Sequence, residues 1–208
     1  MYGVNKKNLL LTLPILSLLW FTATIVIGGL FYPGYSHTSQ FISELGATGS
    51  PHGNYVNYIG FMPTELFMLA FVLICFSVIP KTKVNFSGLC FIGLYGGTLS
   101  VAAFFPCDFE CRPTTPSLSH NIHMLSAFPG YLSGIVSMFV ISSGSSFWAK
   151  SKTFKIFSYG IGFLCIYALL NLDPKLAFVG SVQRSLDLMI YLWFIYFAYH
   201  LRKFLSEK

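Results

Sequence analysis

The side chains able to do chemistry in this chain fall into a few short segments. Cys107-Asp108-Phe109-Glu110-Cys111 sets two thiols four positions apart, and Ser119-His120-Asn121-Ile122-His123 follows closely. In an oxidising compartment Cys107 and Cys111 are expected to form a disulfide. The alternative is a metal site, weakly supported, in which Asp108 joins His120 and His123, whose i, i+3 spacing puts them on one helix face. His123 also suits general acid–base work or a structural hydrogen bond. Ser119 lies one turn before it, but a Ser119–His123 nucleophile pair needs Asp108 or Glu44 as an orienting acid. Arg184 and Asp187, again i and i+3, are expected to pair on a helix face. The planar fork of Arg184 equally suits a phosphate or a carboxylate. Glu65 is an acid deep in an apolar run, about 12 Å beyond Asn57 at 1.5 Å per residue. It follows Pro63, whose missing N–H frees a backbone carbonyl in the preceding turn. A central charge costs at least ~2.5–3.5 kcal/mol on insertion scales. With no second intramembrane acid in view, Glu65 is expected to be a protonated acid that is structural or faces a ligand.

The elements that must position these groups follow from composition. Of 208 residues, 54% are hydrophobic and 10% charged, against about 25% charged in an average soluble domain. So few charges cannot cover a globular surface, and the high hydrophobicity is the reverse of a disordered chain. Five cysteines are too sparse for a disulfide-dense scaffold. The net charge of +6 is scattered between apolar runs, whereas a nucleic-acid binder concentrates it in a patch. No nucleic-acid partner is expected.

A bilayer core takes about 20 apolar residues per helix. Six stretches qualify: Leu9–Phe31, Asn57–Ile79, Phe86–Phe105, Ile122–Ile141, Phe154–Leu170 and Leu186–Leu205. The first exceeds a signal-peptide core of ~7–15 residues and lacks a convincing cleavage site, so it reads as a retained span. The expected fold is an all-α integral membrane protein, a six-transmembrane-helix bundle forming a single domain over residues 1–208. With both termini cytoplasmic, Lys6, Lys7, Lys81, Lys83, Lys150, Lys152, Lys155, Arg202, Lys203 and Lys208 lie inside. Only Arg112, Lys175 and Arg184 lie outside, which satisfies the positive-inside rule. The outer loops then hold nearly every reactive side chain. In the first of them, Thr38 or Ser39 can cap and Gly46 can end a short interfacial helix, with Gln40, Ser43 and Glu44 opposite its apolar residues. Gly93/Gly97 and Gly130/Gly134 are small-xxx-small patterns that suit helix packing. Cys75, Cys90 and Cys165 read as buried small hydrophobes.

The run Ser39-Gln40-Phe41-Ile42-Ser43-Glu44-Leu45-Gly46-Ala47, then Phe105-Pro106-Cys107-Asp108, the histidine-bearing fourth span and Gln183-Arg184 together resemble the domain of unknown function 998 family. The resemblance covers most of the chain. It implies a six-span prokaryotic membrane protein, in a cytoplasmic membrane, with no established activity to carry over. Its motif positions fall on Ser43, Glu44, Asp108, His123 and Arg184.

Glu44, Asp108, His123 and Arg184 come from four segments at one membrane level. They are expected to meet in one outward-facing polar pocket that binds a lipid headgroup or small polar ligand. Ser43 belongs with them, and Glu65, Ser119, His120 and Asp187 are secondary candidates. A lipid-acting hydrolase or transferase using that pocket is the alternative, and a small transporter centred on Glu65 a further one. The sequence requires no cofactor, and the bilayer is the one partner it demands.

Overall fold

The computed structural model describes residues 2–149 and 151–207; Lys150 and Lys208, two of the expected cytoplasmic anchors, lie outside them. Six long helices dominate, and there is no strand among the described residues. They are α1 (Tyr2–Leu30), α2 (Gly53–Val78), α3 (Lys83–Phe104), α4 (Leu118–Ser143), α5 (Lys152–Leu170) and α6 (Val179–Ser206). The first five are long and apolar enough to cross a membrane. In α6, Gln183, Arg184 and Asp187 at one end and Arg202 and Lys203 at the other dilute an otherwise apolar helix of 28 residues.

Helix starts follow local chemistry. Thr82, Ser117 and Ser151 cap α3, α4 and α5, each accepting a hydrogen bond from the backbone N–H three residues on. Such a cap satisfies one of the unpaired donors of the first turn. In α2 the backbone is π-helical over Val56–Phe61, just ahead of Pro63. Proline supplies no N–H to the carbonyl four residues back. That carbonyl, of Ile59, instead accepts from Trp20 Nε1 of α1 at 2.9 Å. The same two helices approach closely at Gly60, where a Cβ would run into Thr24. The sequence expectation of a freed carbonyl is met by a specific donor.

The core centres on α6. Trp193, Phe194 and Phe197 are fully buried. Phe197 meets Phe71 of α2, Phe194 meets Tyr95 of α3, and Trp193 Nε1 donates to Ser158 Oγ of α5 at 2.8 Å. Of the two small-residue patterns, Gly130 and Gly134 bring α4 against Thr98 and Tyr95 of α3. Gly93 and Gly97 make no such approach: nothing lies within 4 Å of a Cβ at Gly97.

Loops cluster by connectivity. The α1–α2, α3–α4 and α5–α6 connections share one end of the bundle, where Thr48 N–H donates to the Cys107 carbonyl and Ser181 N–H to the Thr38 carbonyl. Within the first connection a 3₁₀ turn spans Ile42–Gly46, and Ile42, Glu44, Leu45 and Gly46 are buried. Glu44 therefore does not sit on a solvated face, as the helical pattern of that loop suggests. Its carboxylate is turned inward by its own partners.

Candidate functional site

Four helices each contribute an apolar-looking stripe with a polar residue in it. In α4 the stripe is His123, Ala127 and Tyr131; in α3 it is Tyr95, Leu99 and Ala103; in α2 it is Asn57, Phe61 and Glu65. These spacings of four bring side chains onto one helix face. Gln183 and Asp187 do the same from α6. The stripes enclose a cavity of about 70 Å³, measured as room for the centre of a water-sized sphere, which Ile42, Ser43, Gly46 and Pro106 line from the loop end. A single water needs roughly 10–15 Å³ on that measure. Several waters, or a molecule of a few heavy atoms, fit.

A chain of hydrogen bonds ties the 3₁₀ turn to one of the cavity acids. Ile42 N–H donates to Gln183 Oε1 at 2.7 Å, Gln183 Nε2 donates to Tyr131 Oη at 3.2 Å, and Tyr131 Oη donates to Asp187 Oδ2 at 3.2 Å. All four residues are buried. Asn57 Nδ2 donates to the Gly46 carbonyl at 2.8 Å, and a Cβ at Gly46 would collide with that amide. His123 Nδ1 lies 2.8 Å from the Ala102 carbonyl and 3.1 Å from the Phe105 carbonyl. Both are acceptors, so Nδ1 carries the proton and Nε2 is the nitrogen left for other partners. Glu65 is 5% exposed, and its Oε2 is buried without a hydrogen-bond partner.

The expected quartet does not meet around this cavity. Of Glu44, Asp108, His123 and Arg184, only His123 lines it, joined by Ser43. Glu44 lies one residue away, in the turn. Its Oε1 accepts from Phe41 N–H at 2.9 Å and lies 3.4 Å from Arg112 Nη2, and its Oε2 accepts from Gln40 Nε2 at 2.8 Å. Asp108 Oδ2 accepts from Ser117 N–H at 2.8 Å. That bond, ahead of the nearby His120, holds the Asp108 carboxyl below its usual range. Arg184 staples α6 to the first loop: Nη1 donates to the Gln40 carbonyl at 3.0 Å and Nη2 to Tyr35 Oη at 2.5 Å. Both of its Nη groups are taken by protein groups while Nε is buried without a partner, so the expected phosphate clamp and the Arg184–Asp187 pair give way to this staple. Asp187 turns instead to Tyr131 and the cavity. The view of Glu65 as an acid without a companion is corrected too, because Asp187 lines the same cavity.

The catalytic and metal readings find little geometry. Ser119 Oγ donates to the Pro106 carbonyl at 2.7 Å, and no Ser119–His123 bond exists among the described residues. His120 Nδ1 accepts from Asp108 N–H at 3.3 Å, while His123 turns to its two carbonyls. No group of three metal-capable side chains forms among the described residues. Cys107 and Cys111 are disulfide-linked with Cα atoms 5.1 Å apart, and Cys111 Sγ lies 3.3 Å from Ser43 Oγ.

The sequence marks Gln183 only through the family resemblance, and it does not single out Tyr131, Tyr95 or Asn57 as site residues. A signal existed: Gln183 and Asp187 are i and i+4, as are His123, Ala127 and Tyr131 along α4. Their common face was legible, but not what it faced.

The rim carries a pH-sensitive contact. Arg184 Nη2 donates to His37 Nδ1 at 3.1 Å, and Tyr35 packs edge-on to the His37 ring. Burial, then the Arg184 charge, hold the His37 pKa below its ordinary value. Burial also pushes the Tyr35 hydroxyl up to about 12, against the opposite pull of Arg184. Because the folded His37 pKa is depressed, its linked stability is full above the ordinary value of about 6.5 and is lost as pH falls through the folded value. Histidine NMR of labelled protein is expected to give a His37 midpoint below 6.5. Arg184→Leu should raise it only in part, since burial is the larger cause; an unshifted wild-type midpoint contradicts the contact.

Five helices of this length and hydropathy mark a multi-pass α-helical membrane protein. Over residues 15–200 the chain matches the family described as protein of unknown function (DUF998), and it belongs to that family. No curated protein and no solved structure matches it.

Proposed function

We propose that the protein crosses a prokaryotic cytoplasmic membrane six times, with both termini cytoplasmic, and binds a small polar ligand or lipid headgroup in the cavity beneath the Ile42–Gly46 turn. The lysine-rich connections support the orientation by the positive-inside rule, which places this turn and the Cys107–Cys111 disulfide on the outer side. α6 supplies the sixth span: one face of its centre (Ile190, Tyr191, Trp193, Phe194 and Phe197) is buried, the other exposes apolar Leu188 and Leu192, and its charges gather near its ends. One observation carries the binding reading. Glu65 Oε2 is buried at the cavity without a partner, and an unsatisfied buried polar atom costs about 1–3 kcal/mol, more for a charged group. A ligand that supplies the missing partner offsets that cost.

The test is mass spectrometry of small molecules and lipids that co-purify with the protein, wild type against Ala127→Phe, which fills the cavity from α4. A stoichiometric species present in wild type and lost in Ala127→Phe is expected. Identical profiles from the two proteins would sink the reading.

A second reading, a small transporter centred on Glu65, gains from Asp187 standing in the same cavity. It requires proton or ion flux in liposomes that falls on Glu65→Gln; flux unchanged by that substitution removes it. The hydrolase reading has no nucleophile–base pair in its favour.

A further inference from the structure

We infer that the group this cavity selects is a primary ammonium, on a free small amine or on an amine-bearing lipid headgroup. The inference rests on the binding reading above and adds the sign and type of charge. Two carboxyl side chains, Glu65 of α2 and Asp187 of α6, line one small cavity. They are 5% and 3% exposed. Among the described residues no lysine or arginine lines it; Arg184 of α6 is held at the rim by Tyr35 and the Gln40 carbonyl.

Removing one partner from a buried ion pair is strongly destabilising because the remaining charge is uncompensated. The cavity holds the acid half of such a pair: two carboxyls, one with an unpartnered oxygen, and among the described lining residues no lysine or arginine to complete it. An entering anion would meet two acids, with His123 as the basic side chain among the described lining residues. A neutral hydroxyl could satisfy Glu65 Oε2, but only a cation lets a buried acid of this cavity give up its proton and form an ion pair.

The walls decide between an organic and an inorganic cation. Tyr95, Tyr131, Phe21 and Phe61 surround the acids, and aromatic faces attract a desolvated cation by about 0.5–2 kcal/mol each. No set of three His, Cys, Asp or Glu ligands forms among the described residues, so a hard metal ion finds too few oxygens of the kind it takes. An ammonium needs only three acceptors for its N–H donors. The carboxyls of Glu65 and Asp187 are two, and the Nε2 lone pair of His123 or the amide oxygen of Asn57 completes the set. About 70 Å³ on this measure, room for several waters, admits a two-carbon amine.

The experiment is a scintillation proximity assay with radiolabelled ethanolamine, on the full chain in phosphatidylglycerol nanodiscs at constant ionic strength. Unlabelled ethylene glycol and glycolate, matched to ethanolamine in size but neutral and anionic, compete against it, as do sodium and potassium. Saturable ethanolamine binding is expected, displaced at least tenfold more weakly by every competitor than by unlabelled ethanolamine. Glu65→Gln and Asp187→Asn should each weaken it tenfold or more while helical content and melting temperature stay near wild type.

Displacement by glycolate, ethylene glycol or sodium as strong as by ethanolamine overturns the ammonium inference and leaves the binding reading standing. So does wild-type affinity in both acid variants. Absence of any saturable signal overturns the ammonium inference, and the binding reading falls separately if Ala127→Phe leaves the co-purified profile unchanged. Repeating the assay in phosphatidylethanolamine nanodiscs separates the sources. Loss of ethanolamine binding there assigns the lipid headgroup, and retained binding assigns the free amine; both uphold the inference.

Discussion

Gln183→Leu is expected to lower the unfolding free energy by about 2–4 kcal/mol, because it strands two buried polar groups at once. Ile42 N–H has Gln183 Oε1 as its acceptor, and Tyr131 Oη receives a hydrogen bond from Gln183 Nε2. Leucine fills similar space but answers neither. The unpaired amide alone accounts for about 1–3 kcal/mol, and the lost bond to tyrosine for about 1 more. Equilibrium unfolding by SDS titration of the purified protein reads the difference. Gln183→Glu keeps an acceptor for Ile42 while losing the donor to Tyr131, so it should fall between wild type and Gln183→Leu.

Tyr131→Phe supplies the other half of the test. If the bonds act as one unit, the pair Gln183→Leu and Tyr131→Phe will show a coupling energy of about 0.5–3 kcal/mol in a double-mutant cycle. Additive losses would mean that the turn and Asp187 are held independently. Coupling matters for function, since it makes the position of the Ile42–Gly46 turn depend on the hydrogen-bonding state of a cavity acid. Ligand entry and the seating of the turn then become two descriptions of one equilibrium.

The architecture was largely legible because run length is a local property. Leu9–Phe31 or Phe86–Phe105 needs no partner to announce that it is apolar. The beginning of α6 shows where that logic stops. Gly180-Ser181-Val182-Gln183-Arg184-Ser185 is too polar to extend an apolar run, so the stretch reads from Leu186, whereas the helix begins at Val179. A start at Leu186 sets Asp187 at a membrane edge, whereas it is only 3% exposed and faces the cavity. Glu65 then looked solitary. The family-marked residues Glu44, Asp108 and Arg184 were rightly seen as unusual, but a motif reports that a side chain is special, not what it touches. In the structure their partners are protein: Phe41, Ser117 and Tyr35. They build the roof over the site, while the site itself comes from helical stripes whose neighbours only packing could reveal.

Glu44 lets magnitudes decide what holds that roof. The carboxylate is 1% exposed, and it joins Phe41 N–H, Gln40 Nε2 and Arg112 Nη2. The Arg112 side chain is 36% exposed, and a solvent-screened pair of that kind contributes about 0–1 kcal/mol. The part-buried Phe41 amide and Gln40 contacts count for more, since hydrogen bonds to a charged group are worth about 1.5–3 kcal/mol each. Glu44→Ala is therefore expected to cost about 3–6 kcal/mol. Glu44→Gln, which keeps one acceptor, should cost less, and Arg112→Ala least, at no more than about 1 kcal/mol. Unfolding titrations of the three variants give the order directly. If Arg112→Ala proves as damaging as Glu44→Ala, the ion pair and not the Phe41 amide holds the turn. Because Ile42, Ser43 and Gly46 of that turn line the cavity, Glu44→Ala should also speed exchange of whatever the cavity holds, whereas Arg112→Ala should leave it nearly unchanged.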